Sequence, residues 1–458
     1  MFNPFQRHPF QRSKTVGVTG LVRSGKTVLL TSLLAHLRNH SPQRLALGRN
    51  GTRVTEVREL PLGKHATRFD AVGYRNCLAS NRFPPKTLAT HEYRAEYVRS
   101  DWKYTRLDLR LVEVPGELLA DLVIAEHPRF EDWSETVLRA LQRTEFSAQA
   151  ADFLSALESA EANGTLLDDA TLRTAYQTAL ARMVVSYMPV VTPSSFLPRG
   201  ESVSGIGSDA TPAQKIDYLV THQICGLDRD SQFFPLPAPL RTARPELVRM
   251  LSAHYAAYRR QVVLPMARRL RRCDELLVLV DVAMLLEGGA GMLNANALFL
   301  EQLLQSIDPG FRPPAASING LFRALGGPVP FAGVRRIVFV ATKADRVHPH
   351  DRNRLRLLLQ DLIQPLIGRY HATRQLDVEY LLCAAVNCTR CPDPERRVLQ
   401  IHWAGTRGPN GTPRDVVEAE VSEVPEEWPG SYAAGDYHFA SPDPWMPETL
   451  VRLPEHID

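Results

Sequence analysis

The chain has 458 residues, a formal net charge of +4 and six cysteines. That length exceeds a single domain and predicts two or three domains, or one with large insertions. So small a charge excludes an electrostatic nucleic-acid footprint, and six cysteines spread over this length exclude a disulfide scaffold. The first residues, MFNPFQRHPFQRSK, lack the apolar segment of a secretory signal, and no run reaches the roughly 18 apolar residues that cross a bilayer. The expectation is a soluble, cytoplasmic protein. Lysine occurs only at positions 14, 26, 64, 86, 103, 215 and 343, so a lysine inside a motif stands out.

A β-branched run at residues 15–19 predicts a strand. It leads into Gly20, Leu21, Val22, Arg23, Ser24, Gly25, Lys26 and Thr27, and then into a helical pattern over 28–37. This is GxxxxGK[ST] between a strand and a helix, the context expected of a phosphate-binding loop. The two glycines let the backbone turn its N–H groups toward a polyphosphate, with the helix N-terminus behind them. In such a loop Lys26 reaches the β- and γ-phosphates and the Thr27 hydroxyl sits on Mg²⁺. Residues 39–82 break into Gly, Arg and Pro with short β-like pieces and read as irregular surface. The alternation over 91–98 predicts an edge strand. A threonine just before it, Thr87 first and Thr90 second, is placed to close over the metal and the γ-phosphate as a switch residue.

Residues 107–114 predict another strand, running into Pro115, Gly116 and Glu117. The pattern matches the DxxG of GTPases with Glu113 in place of the aspartate, one methylene longer. Gly116 is placed to sense the γ-phosphate. Glu117 stands where many GTPases carry a water-orienting glutamine, and it equally suits the first turn of a helix by its charge.

From 121 to 272 the composition turns helical, with 3.6-residue periodicity over 136–158, 167–188 and 246–272, the last kinked near Pro265, and a weaker pattern over 213–224. Residues 188–207 and 233–245 read as connectors. The basic end of the long helix, Arg268 to Arg272, reads as a solvated face. Residues 275–281 are nearly all apolar, as in a strand buried on both faces, and Asp281 at its end competes with Glu113 for the metal role. Gly288, Gly289 and Gly291 predict a flexible loop before a helix over 293–307. The strand over 335–341 delivers Thr342, Lys343, Ala344 and Asp345, an [NT]KxD pattern. There a carboxylate accepts the N1 and N2 protons of guanine, while adenine offers an acceptor at N1 and no N2 donor. A helix over 351–367 and a last strand over 378–382 lead to Cys383, Ala384 and Ala385, where GTPases bring a backbone amide to the guanine O6. Cys388 and Cys391 form a single CxxC with no second pair at zinc spacing. Residues 398–458 read as short strands packed on the core.

The segments TGLVRSGKTVLLTSLL, VPGELLADL, HYAAYRRQVVLPMARRLRRCDELLVLVDVAMLLEGG, VFVATKADRV and FFPLP together resemble the YcjX family of stress-associated P-loop proteins. The resemblance implies an α/β fold: a P-loop GTPase-like three-layer sandwich with a mostly parallel sheet, a large helical insertion and a C-terminal β-rich extension. The divisions expected are 1–120 and 273–397 for the two halves of the GTPase domain, 121–272 for the insertion and 398–458 for the extension. It also implies GTP binding and hydrolysis with Mg²⁺, a GTP/GDP switch in envelope stress, and a membrane-protein partner of the YcjF type at the inner membrane. Thr27, Thr87 and Glu113 are the expected metal-side residues, and Lys26, Glu117, Thr87 and Arg23 the expected catalytic ones. One departure from the family and one from other GTPases stand out. The family usually has aspartate at position 113, and potassium-dependent GTPases carry asparagine where this chain has Arg23, a position from which a guanidinium would reach the phosphates. An ATPase of the same fold, and a scaffold that binds nucleotide without hydrolysing it, remain open as rival readings.

Overall fold

The computed structural model describes residues 11–21, 24–38, 54–63, 66–80, 84, 90–99, 106–162, 168–185, 210–221, 232–307, 334–370, 376–401 and 417–428. A mostly parallel sheet organises them. Its strands are β1 (Gln11–Gly20), β2 (Val54–Glu59), β3 (Thr67–Arg68), β4 (His91–Arg99), β5 (Arg106–Glu113), β6 (Glu275–Val280), β7 (Arg336–Ala341) and β8 (Asp377–Leu382). The order is β2-β4-β5-β1-β6-β7-β8, with β3 beside β4. Strand β1 pairs in parallel with β5 and β6, and β7 and β8 continue the parallel run. The β2–β4 and β4–β5 pairs are antiparallel.

Sequence dictates this division. Strands β6 and β7, ELLVLV and RIVFVA, are apolar on both faces, as a sheet covered on both sides requires. Strand β4 instead alternates. Tyr93, Ala95 and Tyr97 are buried. Its other face carries Glu92, Arg94 and Glu96, paired diagonally across to Arg110 (2.6 Å), Asp108 (2.6 Å) and Arg106 (3.2 Å) of β5. The expected strand at 91–98 is therefore present, but β2 lies outside it and takes the edge.

Helices cover both faces. On one side α1 (Lys26–Arg38) and α2 (Ala71–Ala79) pack on Val18, Leu111, Leu279, Val338 and Val340. On the other, α12 (Gly289–Ile307) and α13 (Arg352–Tyr370) cover Leu276, Val278, Val280, Ile337 and Phe339. The alternating numbers are the pleat: neighbouring residues of one strand serve opposite layers. This is the three-layer P-loop GTPase-like arrangement. Strands β2 and β3 are the short β pieces expected within 39–82, whereas helix α2 corrects the expectation that the rest is irregular. Asp70 caps α2 by accepting from Gly73 N at 2.9 Å, a short signal that the surrounding Gly and Arg residues mask.

Between β5 and β6 the described residues are mainly helical: a 3₁₀ turn (Gly116–Asp121), α3 (Leu122–Glu126), α4 (Phe130–Leu141), α5 (Thr144–Ala162), α6 (Asp169–Val185), α7 (Pro212–Thr221), α8 (Ala238–Ala243), α9 (Pro245–Tyr258) and α10 (Leu264–Arg271). Their apolar faces form a second cluster around Trp133, whose ring lies 5.2 Å from Phe233 and 5.3 Å from Tyr255. The single helix expected over 136–158 is two, because the chain turns between Leu141 and Thr144. Residues 233–245 are more than a connector: Phe233, Phe234 and Leu236 are buried anchors. The break expected near Pro265 is a π turn at Arg259–Val263. Proline has no N–H for the preceding turn and its ring crowds the carbonyl four residues back, and the widened turn absorbs both. This unit grips the segment after Gly116: the Tyr258 hydroxyl donates to Asp121 Oδ2 at 2.6 Å, and Arg259 donates to the carbonyls of Ile124 and Ala125 at 3.0 Å.

The glycines at 288–291 make no loop. Gly288 caps α11 (Val282–Glu287) and Gly289 begins α12. After β8, β9 (Thr389–Arg390), β10 (Val398–Ile401) and β11 (Val417–Glu420) form a three-stranded antiparallel sheet, which begins before residue 398; of the extension expected over 398–458, only residues 398–401 and 417–428 are described. Trp428 ties it down by donating Nε1–H to Leu358 O at 2.8 Å. No helix among the described residues is long and apolar enough to cross a membrane.

Candidate functional site

The motif residues gather at the C-terminal ends of β1, β5, β6, β7 and β8. Strand β1 lies between β5 and β6, where the order of the sheet reverses and ligands of open α/β sheets bind. The glycine-rich loop leaves β1 there. Gly20 (φ 146°) and Gly25 (φ 81°) have positive φ. At Gly20 a Cβ would lie 2.2 Å from Leu279 O, so the loop can pass β6 only as bare backbone. Gly20→Ala is expected to cost at least about 3 kcal/mol in denaturant unfolding, from strain and overpacking together. Leu21 N donates to Leu279 O at 3.0 Å and the Ser24 hydroxyl to Leu21 O at 2.8 Å, which pins both arms of the loop. Val22 and Arg23 lie outside the described residues.

Lys26 opens α1 and is buried, its Nζ donating to Leu21 O at 2.8 Å and Gly20 O at 3.3 Å. Gly116 lies against it: a Cβ there would sit 2.6 Å from that Nζ and 2.5 Å from Gly20 O. The lysine of the first motif and the glycine of the second, 90 positions on, are thus brought together. Val114 N, donating to Val18 O at 3.0 Å, sets that approach. Glu117 lies on the 3₁₀ turn after Gly116, and its side chain is outside the described part. Thr87 is likewise outside it, whereas Thr90 is half-buried just before β4.

On the metal side, the Thr27 hydroxyl donates to Glu113 Oε1 at 2.8 Å. Glu113 is 1% exposed, and His91 Nδ1 lies 3.3 Å from its other oxygen. Tyr74 of α2 is near enough that burial, and then the Glu113 charge, push its hydroxyl pKa up. Asp281 does something else. Fully buried, it caps α11 by accepting from Met284 N at 3.1 Å and pairs with Lys343 Nζ at 2.8 Å. Of the two competing acids, Glu113 is the one in contact with Thr27. A magnesium site fits this donor set: the ion takes one or two protein oxygens and completes its shell with water and phosphate oxygens.

On the far side, Thr342 N donates to Val280 O at 2.9 Å and Ala344 N to Cys383 O at 3.2 Å, joining the third and fourth motifs. Lys343 has a left-handed backbone (φ 56°), the single non-glycine case among the described residues, and its ion pair with Asp281 holds it there. Asp345 is 3% exposed. Its Oδ2 accepts from Cys388 N at 2.9 Å. Burial pushes its carboxyl pKa up, while that N–H pulls it back. Burial, with the Asp345 charge adding to it, raises the Cys383 thiol and pushes Cys388 up to about 11, so both stay protonated. Ala384 and Ala385 follow Cys383 in the bend beyond β8. Among the described residues no three His, Cys, Asp or Glu side chains, those of the CxxC included, form a group that could hold a metal ion.

Two features were not legible in the sequence, His91 on Glu113 and Asp281 on Lys343. Each is a contact across strands, visible only once the register is known.

The profile of the YcjX-like family (DUF463) matches residues 15–205 and 230–457. The Ras-like GTPase YcjX of Escherichia coli (strain K12) is 27% identical over 376 residues, covering 77% of this chain and 74% of that protein. On the strength of a match that takes in both halves of the sheet and the helical segment between them, the chain belongs to the YcjX-like family.

Proposed function

We propose that the chain binds GTP with magnesium and hydrolyses it slowly, acting as a nucleotide-dependent switch. The observation that carries this is the convergence of the four motifs in GTPase order: Lys26 against Gly116, Thr27 on Glu113, and Asp345 held beside Cys383 and Cys388. A relative named as a Ras-like GTPase supports the same reading. Lys26 turns from the loop carbonyls to the β- and γ-phosphates. Gly116 offers its amide to the γ-phosphate, and Leu21 to Gly25 line the phosphates with backbone N–H groups. Magnesium, when bound, neutralises phosphate charge. Thr27 and Glu113 are the residues that would hold it, with Thr87 closing over it. Glu117 directs the attacking water and Arg23 adds charge to the transition state. Asp345 reads the guanine edge, Lys343 lies along the base, and the backbone of Cys383 to Ala385 meets O6. A role in envelope stress and a membrane partner of the YcjF type follow from the family resemblance described above.

Multiple-turnover phosphate release, with GTP and ATP compared in magnesium, tests the proposal. Release from GTP well above that from ATP is expected. Preference for ATP would establish the ATPase reading, and binding of either nucleotide without turnover would establish the scaffold.

A further inference from the structure

We propose that His91 is a positioning residue for Glu113, the anchor that fits a carboxylate one methylene longer than aspartate to magnesium-dependent nucleotide binding. The inference rests on the nucleotide reading of the site and adds a residue outside its motifs.

Glu113 ends β5 almost wholly buried, where a carboxylate needs partners for both oxygens. Oε1 takes the Thr27 hydroxyl at 2.8 Å and Oε2 faces His91 Nδ1 at 3.3 Å. A carboxylate only accepts, so the partner assigns the proton to Nδ1. The pairing is built into the sheet: His91 and Glu113 are register partners across β4 and β5, and directly opposite residues share a face. The imidazole is itself placed. Strand β3 pairs Thr67 with His91, and the Phe69 ring stands edge-on to it, 6.2 Å away at 77°. Glutamate has one more side-chain torsion than aspartate, so ordering it costs more rotamer entropy. Thr27 holds one oxygen and His91 the other, so the two contacts together set the orientation of the carboxylate.

The test measures GDP dissociation constants in magnesium and in EDTA for wild type, His91→Leu and His91→Asn, with the melting temperature of each nucleotide-free protein as the folding control. The Asn amide nitrogen reproduces the Nδ1 donor. His91→Leu is expected to lose about tenfold or more of the magnesium-dependent gain in affinity, while its EDTA affinity stays within about twofold of wild type. His91→Asn is expected to keep most of the gain. In a Glu113→Asp background the shorter side chain lacks the additional torsion that His91 fixes, so adding His91→Leu should change the gain little. A gain left intact in His91→Leu overturns the proposal, as does equal weakening in magnesium and EDTA. A wild type that binds GDP without any magnesium gain removes the metal reading itself, an outcome distinct from failure of His91 alone.

Discussion

Asp345→Asn is expected to turn a guanine reader into a xanthine reader, with GTP affinity falling on the order of a thousandfold while xanthosine triphosphate affinity rises. The carboxylate sits in the described core with Oδ2 already accepting from Cys388 N at 2.9 Å. Each oxygen has two acceptor directions, so that bond leaves room for guanine N1–H and N2–H. Each hydrogen bond to a charged acceptor is worth about 1.5–3 kcal/mol, and losing two gives the expected factor. The Asn oxygen can still accept from Cys388, so the loop is expected to keep its shape, and the Asn amide can donate to the carbonyl that xanthine carries in place of the N2 amine. Competitive titration of the variant with both nucleotides checks this. An ATP-binding protein would be indifferent to the change. A pH dependence accompanies it. Only the ionised carboxyl accepts both guanine protons, and burial raises its pKa. Guanine affinity should therefore fall on acidification, starting above the ordinary carboxylate range.

Lys26→Ala is expected to abolish multiple turnover and weaken triphosphate binding by about a hundredfold or more. Its Nζ is buried at the mouth of the loop, within hydrogen-bonding distance of Leu21 O and Gly20 O, and Gly116 closes in on it from β5. Those carbonyls hold the ammonium at the mouth of the loop, where an incoming phosphate would meet it. Lys26→Met keeps most of the aliphatic stem and removes the charge alone. Equal losses in the two variants would assign the effect to charge; a much smaller loss in Lys26→Met would assign it to packing. Turnover that persists in both would place phosphate chemistry elsewhere in the molecule.

Much of this arrangement was legible in the sequence because it depends on local chemistry. Gly20 and Gly25 mark backbone that only glycine follows easily. The continuous apolar runs of β6 and β7 mark a sheet covered on both faces, and the motifs fall where those strands end. What stayed hidden depends on partners far apart in the chain. Residues 91–98 alternate like an edge strand, and nothing local announces that β2 will lie outside them. Helix α2 is only nine residues long and Ala71 is the one it buries, so no 3.6-residue period rises above its surroundings. The pattern over 246–272 correctly reads as one long helix, but the response to Pro265 is a π turn a few residues earlier, a choice made by packing around Tyr258 and Val263. Asp281 looks like a metal-binding acid by position. The left-handed turn at Lys343, which brings an ammonium within 2.8 Å, gives it a different partner.

The central claim is that these motifs form one guanine-nucleotide site. Titration of nucleotide-free wild-type protein with GDP and with ADP, in magnesium and under identical salt, tests it most directly. Saturable binding of GDP is expected, with ADP weaker by about a hundredfold or more because adenine offers Asp345 no donor at N1. Equal affinity for the two, or a preference for ADP, would contradict it.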